Sequence, residues 1–353
     1  MSHSLIKPDV LKLRAYEVKD VPCRVKLDAN ESPFGFDIGP EAVKLIKTNK
    51  YPDPEAKELR ALVSTMWDVA PEQILHGNGS DELIYYLIGA TGGPVLYPTP
   101  TFVMYGIIAE ALSQLTLPVA LDDGFDLDLD AVVKTIREQN PRIIFISSPN
   151  NPTGNAFSVE KIHRIIKEST GVVVVDEAYQ PFSEKLSFVP FINKYENLVV
   201  MKTLSKIGFA ALRLGFVLGP EGIIREINKL RLPYNVNTLS QSLAIYLLSE
   251  KKQILSENIQ TIVSERIRLT QRLSGFDALR VYPSDSNFFL MKPLNMKGYD
   301  LYGKLLDEGV LVKSFHASIP ALEDTLRVTV GAPEENALFL ESMEKILNTK
   351  ILS

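Results

Sequence analysis

The sequence predicts an α/β protein: a large, doubly wound, mostly parallel sheet domain followed by a smaller α+β domain. Three observations carry this expectation. Short, nearly continuous Val/Ile runs alternate with segments of helical period up to about residue 220. Polar motifs stand immediately after those runs, where ligands collect in open parallel sheets. From about residue 220 onward the pattern changes to long amphipathic helices and then a compact mixed piece.

The elements follow in order. "GPVLYP" (93–98) reads as a strand and "TFVMYGIIAEALSQ" as the helix after it. "RIIFISSP" (142–149) leads through "NNPTG" into the helix "SVEKIHRIIKES"; "GVVVVDEAY" (171–179) and "NLVVMKTLS" (197–205) come next. Strands covered by helices on both faces read as unbroken apolar runs, and these do. Further on, "EGIIREINKLRLPYNVNTLSQSLAIYLLSE" and "KKQILSENIQTIVSERIRLTQRLS" read as long helices. The remainder is "VYPSDSNFFLMKP", "YDLYGKLLDEG", "TLRVTVG" and a terminal helix in "PEENALFLESMEKIL". The expected division is an arm over 1–26, a large domain over 27–235 and a small domain over 236–353.

Bulk properties narrow the function classes. The chain has 353 residues, 45% hydrophobic and 23% charged, as ordinary globular proteins do. A net charge of −5 gives no reason to expect a nucleic-acid partner. No apolar stretch is long enough for a membrane span, and the charge-dotted N-terminus does not read as a signal peptide. One cysteine, Cys23, rules out an intrachain disulfide and fits the reducing cytoplasm. Four scattered histidines share no ligand spacing, so no metal site is expected.

Four motifs carry chemistry. "GNGSDEL" (77–83) places Ser80 and Asp81 at a helix start, where backbone amides suit a phosphate. "SPNNPTG" (148–154) is a turn offering asparagines. "DEAY" (176–179) puts Asp176 at the end of a buried strand, where a carboxylate needs a partner. "TLSK" (203–206) puts Lys206 after an apolar run, with Arg213 seven residues on. Each alone reads as ordinary loop or cap chemistry. Together, in one order at strand ends, they supply what pyridoxal phosphate asks for: an imine-forming lysine, a carboxylate for the ring nitrogen, donors for the phenolate oxygen, and amides, hydroxyls and a cation for the phosphate.

In these motifs the sequence resembles the fold type I pyridoxal-phosphate-dependent aminotransferases. Within them it is most similar to the histidinol-phosphate aminotransferase branch, through "LDANESPFG" (27–35), "YPDP" (51–54) and "GNGSDEL" as well. The resemblance runs to "TLRVTVGAPEEN" (325–336), so it covers nearly the whole chain. It implies that Lys206 is the Schiff-base lysine and the acid/base for the substrate's α-proton. Asp176 pairs with the pyridine nitrogen, and Asn151 and Tyr179 bond the ring's phenolate oxygen. Ser80, Asp81, Thr203, Ser205 and Arg213 form the phosphate site, and Phe102 stacks on the ring. Tyr51 reaches the phosphate of a neighbouring subunit's cofactor, which implies a homodimer. Arg327 grips the carboxylate of glutamate or 2-oxoglutarate, or the substrate's phosphate, and Asn30 belongs with the substrate residues.

The implied activity is transamination between L-histidinol phosphate and 2-oxoglutarate, in histidine biosynthesis. Aromatic amino-acid transamination and threonine-phosphate decarboxylation are the alternatives on the same scaffold. Two positions stay open. Where the family commonly has an arginine after "DEGVLV", this chain has Lys313, which is either a phosphate contact or a solvated rim residue. Tyr16 either closes over the substrate or anchors the arm by packing. The spacing "SKIGFAALRLG" is a shorter form than is usual, read as a loop variant that keeps Arg213.

Overall fold

The structure is a computed structural model that describes residues 5–13, 21–40, 43, 46–315 and 319–348. Tyr16 lies outside the described residues. A short helix α1 (Pro8–Lys12) precedes a short strand β1 (Val25–Leu27) and helix α2 (Lys57–Trp67). The large sheet is then laid down by β2 (Ile74–Asn78), α3 (Ser80–Thr91), β3 (Val95–Thr99), α4 (Met104–Ala111), β4 (Thr116–Ala120), α5 (Leu129–Gln139), β5 (Ile143–Ser147), α6 (Val159–Glu168), β6 (Val172–Asp176), β7 (Leu198–Thr203) and β8 (Leu214–Leu218). Its strand order is β2-β8-β7-β6-β5-β3-β4. All pairings are parallel except those of β8, which runs against both neighbours.

The unbroken apolar runs are buried on both faces, as expected: every residue of β5, β7 and β8 is buried. One face packs Val174, Phe145, Val199 and Met201 with residues of α3 and α4, such as Leu83 and Tyr105. The other packs Val173, Val175, Ile144 and Val200 with the apolar stripe of α6 (Ile162, Ile165, Ile166). Side chains alternate between these faces because the strand period is two. Helices α5 and α6 start on side-chain caps, Asp128 accepting from the Ala131 amide at 3.0 Å and Ser158 from the Lys161 amide at 3.4 Å.

The stretch 221–250 differs from the single long helix expected. It forms α7 (Glu221–Asn228) and α8 (Thr238–Glu250), separated by a nine-residue loop. Pro233 in that loop cannot donate to a helical ladder, and Asn237 caps the new start by accepting from the Ser240 amide at 2.9 Å. The chain continues through α9 (Lys252–Leu273), β9 (Leu279–Val281), β10 (Phe288–Pro293), α10 (Gly298–Asp307), β11 (Val310–Ser314), β12 (Leu326–Thr329) and α11 (Pro333–Asn348). These strands form a second sheet of order β1-β11-β12-β10-β9, in which β1 from the start of the chain pairs parallel to β11. The residues following β1 therefore leave the second sheet and run to the large one, carrying the "LDANESPFG" motif between them.

Candidate active site

The parallel strands β2, β3, β5, β6 and β7 all end at one edge of the large sheet, and antiparallel β8 begins there. That topology brings Gly79–Ser80, Phe102, Asn151, Asp176, Lys206 and Arg213 to one rim, although 134 positions separate residues 79 and 213.

Asp176 ends β6 and is buried. The Tyr105 hydroxyl donates to its Oδ2 at 2.6 Å and the Ala178 amide to its Oδ1 at 3.0 Å. No cation among the described residues pairs with it. Burial pushes its carboxyl up to about 6, while those two donors pull the other way and the nearby Asp81 and Glu177 charges add to the rise. Tyr105 is a residue of this rim that sequence reasoning missed. Its signal was present: a tyrosine in the uncharged "TFVMYG", three residues after Phe102, whose hydroxyl must find a partner if buried.

Lys206 follows β7 in a single turn of 3₁₀ helix, Ser205–Ile207. It is half-buried, its Nζ lying 5.7 Å from the centre of the Tyr179 ring. It makes no ion pair or hydrogen bond among the described residues. Tyr179 is held by two elements: Asn30 Nδ2 donates to its hydroxyl at 3.0 Å, and its ring meets Phe288 edge-on at 5.0 Å. Asn30, buried and at φ +54°, is fixed in turn by Thr329, whose Oγ1 accepts from the Asn30 amide at 3.0 Å.

The anion-binding end is built on α3. No side chain caps this helix, so its first amides remain open. Gly79 stands before it at φ +86°, and a Cβ there would lie 2.6 Å from Arg213 Nη2. Only glycine lets the guanidinium lie against this turn. Gly215 is equally confined, since a Cβ would meet the Gly79 carbonyl carbon at 2.8 Å. Arg213 Nη2 is 3.7 Å from Asp81 Oδ2, and the Thr203 hydroxyl donates to Ser205 Oγ at 3.0 Å. Phe102 packs edge-on against Tyr105 at 5.6 Å and forms part of the wall.

Arg327, on β12, donates to Asn151 Oδ1 at 2.5 Å and to the Asp28 carbonyl at 2.5 Å, its guanidinium lying 5.4 Å over the Phe288 ring. Asn151 is thus tied to the second sheet. The neighbouring Asn150 is spent on the loop itself, through Thr101, Thr153 and the Pro100 carbonyl. Lys313 is exposed on β11 and lies directly opposite Arg327 in the antiparallel register, so both side chains leave the same face. Tyr51 is not brought to this rim. It is 80% exposed and stacked on Tyr234 at 4.6 Å.

This set fits pyridoxal phosphate. The open helix start and the arginine in the Gly79 cradle suit a phosphate, a carboxylate held only by neutral donors suits a pyridinium, and an unpaired lysine amine suits an aldehyde. No group of histidine, cysteine or carboxylate side chains among the described residues is arranged to hold a metal ion.

Comparison with known proteins agrees. Residues 8–343 match the family "Aminotransferase class I and II", and the chain belongs to it. The histidinol-phosphate aminotransferase of Aquifex aeolicus is 41% identical over 98% of this chain and 99% of its own length. Histidinol-phosphate aminotransferase 2 of Nitrosococcus oceani is 41% identical over 96% of both. In fold, the crystal structure of the Sinorhizobium meliloti histidinol-phosphate aminotransferase, in complex with pyridoxal-5'-phosphate, superposes with a TM-score of 0.85 at 21% identity, covering 98% of each chain.

Proposed function

We infer that the chain is a pyridoxal-phosphate-dependent aminotransferase that interconverts L-histidinol phosphate plus 2-oxoglutarate with imidazole-acetol phosphate plus glutamate, a step of histidine biosynthesis. One observation carries the reaction class: an unpaired Lys206 at the same sheet rim as a carboxylate, Asp176, that is buried without a cation among the described residues. The near-full-length relatives carry the substrate.

When bound, pyridoxal phosphate supplies an electron sink that carries the amino group from one substrate to the other. The chain's own residues do the rest. The α3 amides, Ser80, Thr203, Ser205 and Arg213 hold the phosphate, with Asp81 steadying Arg213. Asp176 sets its charge against the ring nitrogen and keeps a proton there. Asn151 and Tyr179 hold the phenolate oxygen, and Phe102 covers the ring. The Lys206 amine would take the proton from the α-carbon of the amino substrate and, in the other half-reaction, would give one to the α-carbon of the oxo acid. Arg327 binds glutamate's carboxylate or the phosphate of the second substrate, and Lys313 adds charge on the same face.

The reading includes a homodimer. Tyr51 is exposed and stacked on Tyr234, and Tyr85, Leu230 and Leu232 are exposed apolar side chains as well; this supports a partner subunit whose cofactor phosphate Tyr51 reaches. It also includes the division into arm, large domain and small domain at residues 27 and 236. A cytoplasmic location fits the free Cys23, and no helix among the described residues is long and apolar enough to cross a membrane. The deciding experiment mixes cofactor-loaded protein with L-histidinol phosphate alone. Loss of the cofactor's visible band, restored by 2-oxoglutarate, is the expected result. No loss with histidinol phosphate but loss with phenylalanine or tyrosine transfers the chain to aromatic amino acids. Release of carbon dioxide from threonine phosphate makes it a decarboxylase.

A further inference from the structure

We propose that Tyr105 is a positioning residue of this enzyme: its hydroxyl fixes the Asp176 carboxylate in the orientation and the ionised form that a protonated pyridine ring requires. The proposal rests on the cofactor reading above. Three observations carry it.

First, the bond is short. Tyr105 Oη stands 2.6 Å from Asp176 Oδ2, the range of a hydroxyl donating to an ionised oxygen. Second, it completes a clamp. The Ala178 amide holds Oδ1, so each carboxylate oxygen carries one fixed donor and the group cannot turn about its axis. Third, Tyr105 itself is immobile. It is fully buried, stacked on Phe145 at 4.6 Å and 11°, and met edge-on by Phe102.

The chemistry follows from burial. An Asp176 stripped of donors in this apolar face favours its neutral form, which cannot hold a proton on a pyridine nitrogen. Tyr105 opposes that. Its own hydroxyl stays protonated at any working pH, because burial and the Asp176 charge raise it well above the usual tyrosine value. It therefore always donates. Phe102, which touches the same ring, joins the expected stacking wall to the carboxylate, so Tyr105 aligns two contacts to one cofactor.

The test uses the holoenzyme and the variant Tyr105→Phe, which keeps the ring and its packing. Each protein is loaded with cofactor labelled with ¹⁵N at the ring nitrogen, and its chemical shift is measured across pH beside kcat and KM. The expected result is a shift toward the unprotonated nitrogen and a kcat lowered about 10- to 100-fold, with KM for glutamate within about 2-fold. In an Asp176→Asn background, Tyr105→Phe is expected to change neither quantity further. An unchanged nitrogen shift in Tyr105→Phe, with only a lower Tm, overturns the proposal, and so do losses that add fully in the double variant. A wild-type protein that forms no Lys206-dependent visible band overturns the cofactor reading itself, and the proposal falls with it.

Discussion

Two carboxylate–lysine sets sit side by side at the ends of β6 and β7, and they are handled in opposite ways. Glu177 and Lys202 point to the α6 face and meet in a buried ion pair. Glu177 also accepts from the Ser187 hydroxyl at 2.6 Å and the Phe188 amide at 2.5 Å, and Lys202 donates to Gln180 at 3.2 Å. Every charge there is answered within the chain. Asp176 and Lys206, one and four positions away, are not paired with each other or with any described charge. A buried charge without a partner is costly unless a ligand supplies one. The comparison separates what holds the rim together from what awaits a cofactor, which residue type alone does not do.

The comparison breaks first at Lys206. Lys206→Ala is expected to lower turnover by roughly 10⁴-fold or more and to abolish the covalent visible band, with little change in unfolding free energy. Multiple turnover at a near-normal rate in this variant excludes Lys206 as the reacting amine. Asp176→Asn comes next, with kcat reduced about 100-fold and cofactor retained; an unchanged kcat makes Asp176 a structural carboxylate like Glu177. Lys202→Ala is the mirror image. It strands Glu177 in the core and costs about 3–5 kcal/mol of stability in denaturant titrations, while kcat per folded molecule stays within a few-fold. Loss of activity without loss of stability in that variant moves Lys202 to the reactive set.

Acid titration of the cofactor-free protein sharpens the contrast. Burial lifts Asp176 to about 6 in the fold, against an ordinary aspartate value of 3.8. Between those values the native state holds the extra proton, so this group's contribution to stability falls as pH rises from about 4 to 6, by roughly 3 kcal/mol. His76 acts in the opposite sense. Burial first, then Arg231 and Arg60, press it down to about 3, so its contribution rises with pH over the same window. The two oppose each other, and only a difference isolates the carboxylate. Wild type minus Asp176→Asn, followed by thermal or denaturant unfolding, is expected to decline across pH 4 to 6. A flat difference shows that Asp176 keeps an ordinary pKa in the cofactor-free fold.

The legibility of the fold divides along similar physical lines. Strands β5, β6 and β7 were readable because they are apolar runs buried on both faces. Strand β2 was not, since "ILHGN" carries a histidine and a glycine and resembles a loop. The break between α7 and α8 was hidden by helix-like composition on either side of Pro233. At the site, residues at strand ends stood out as motifs; Arg327 bonds Asn151, and Asn30 bonds Thr329 and Tyr179, across the junction of the two sheets. The Tyr105–Asp176 bond spans 71 positions, and a tyrosine among apolar neighbours offers no local sign of its distant partner. Nor did sequence separate Glu177 from Asp176, because their opposite fates come from strand alternation and from Lys202 on the next strand.

The smallest expected effect concerns Lys313, and register decides how it is framed. Because Lys313 faces Arg327 across β11 and β12, its charge leaves the sheet on the same face as Arg327. Arg327 is buried and bonded to Asn151 and the Asp28 carbonyl, so its geometry is fixed. Lys313 is exposed, and a hydrated ammonium acts on an anion as a screened point charge worth at most about 1 kcal/mol. Lys313→Ala is therefore expected to raise KM for L-histidinol phosphate about 3- to 5-fold and to leave KM for glutamate nearly unchanged, provided Arg327 alone serves the carboxylate. The first effect should shrink as salt is added, since an exposed charge is screened. Equal changes for both substrates, or none, assign Lys313 to the solvated rim and leave Arg327 to bind both anions.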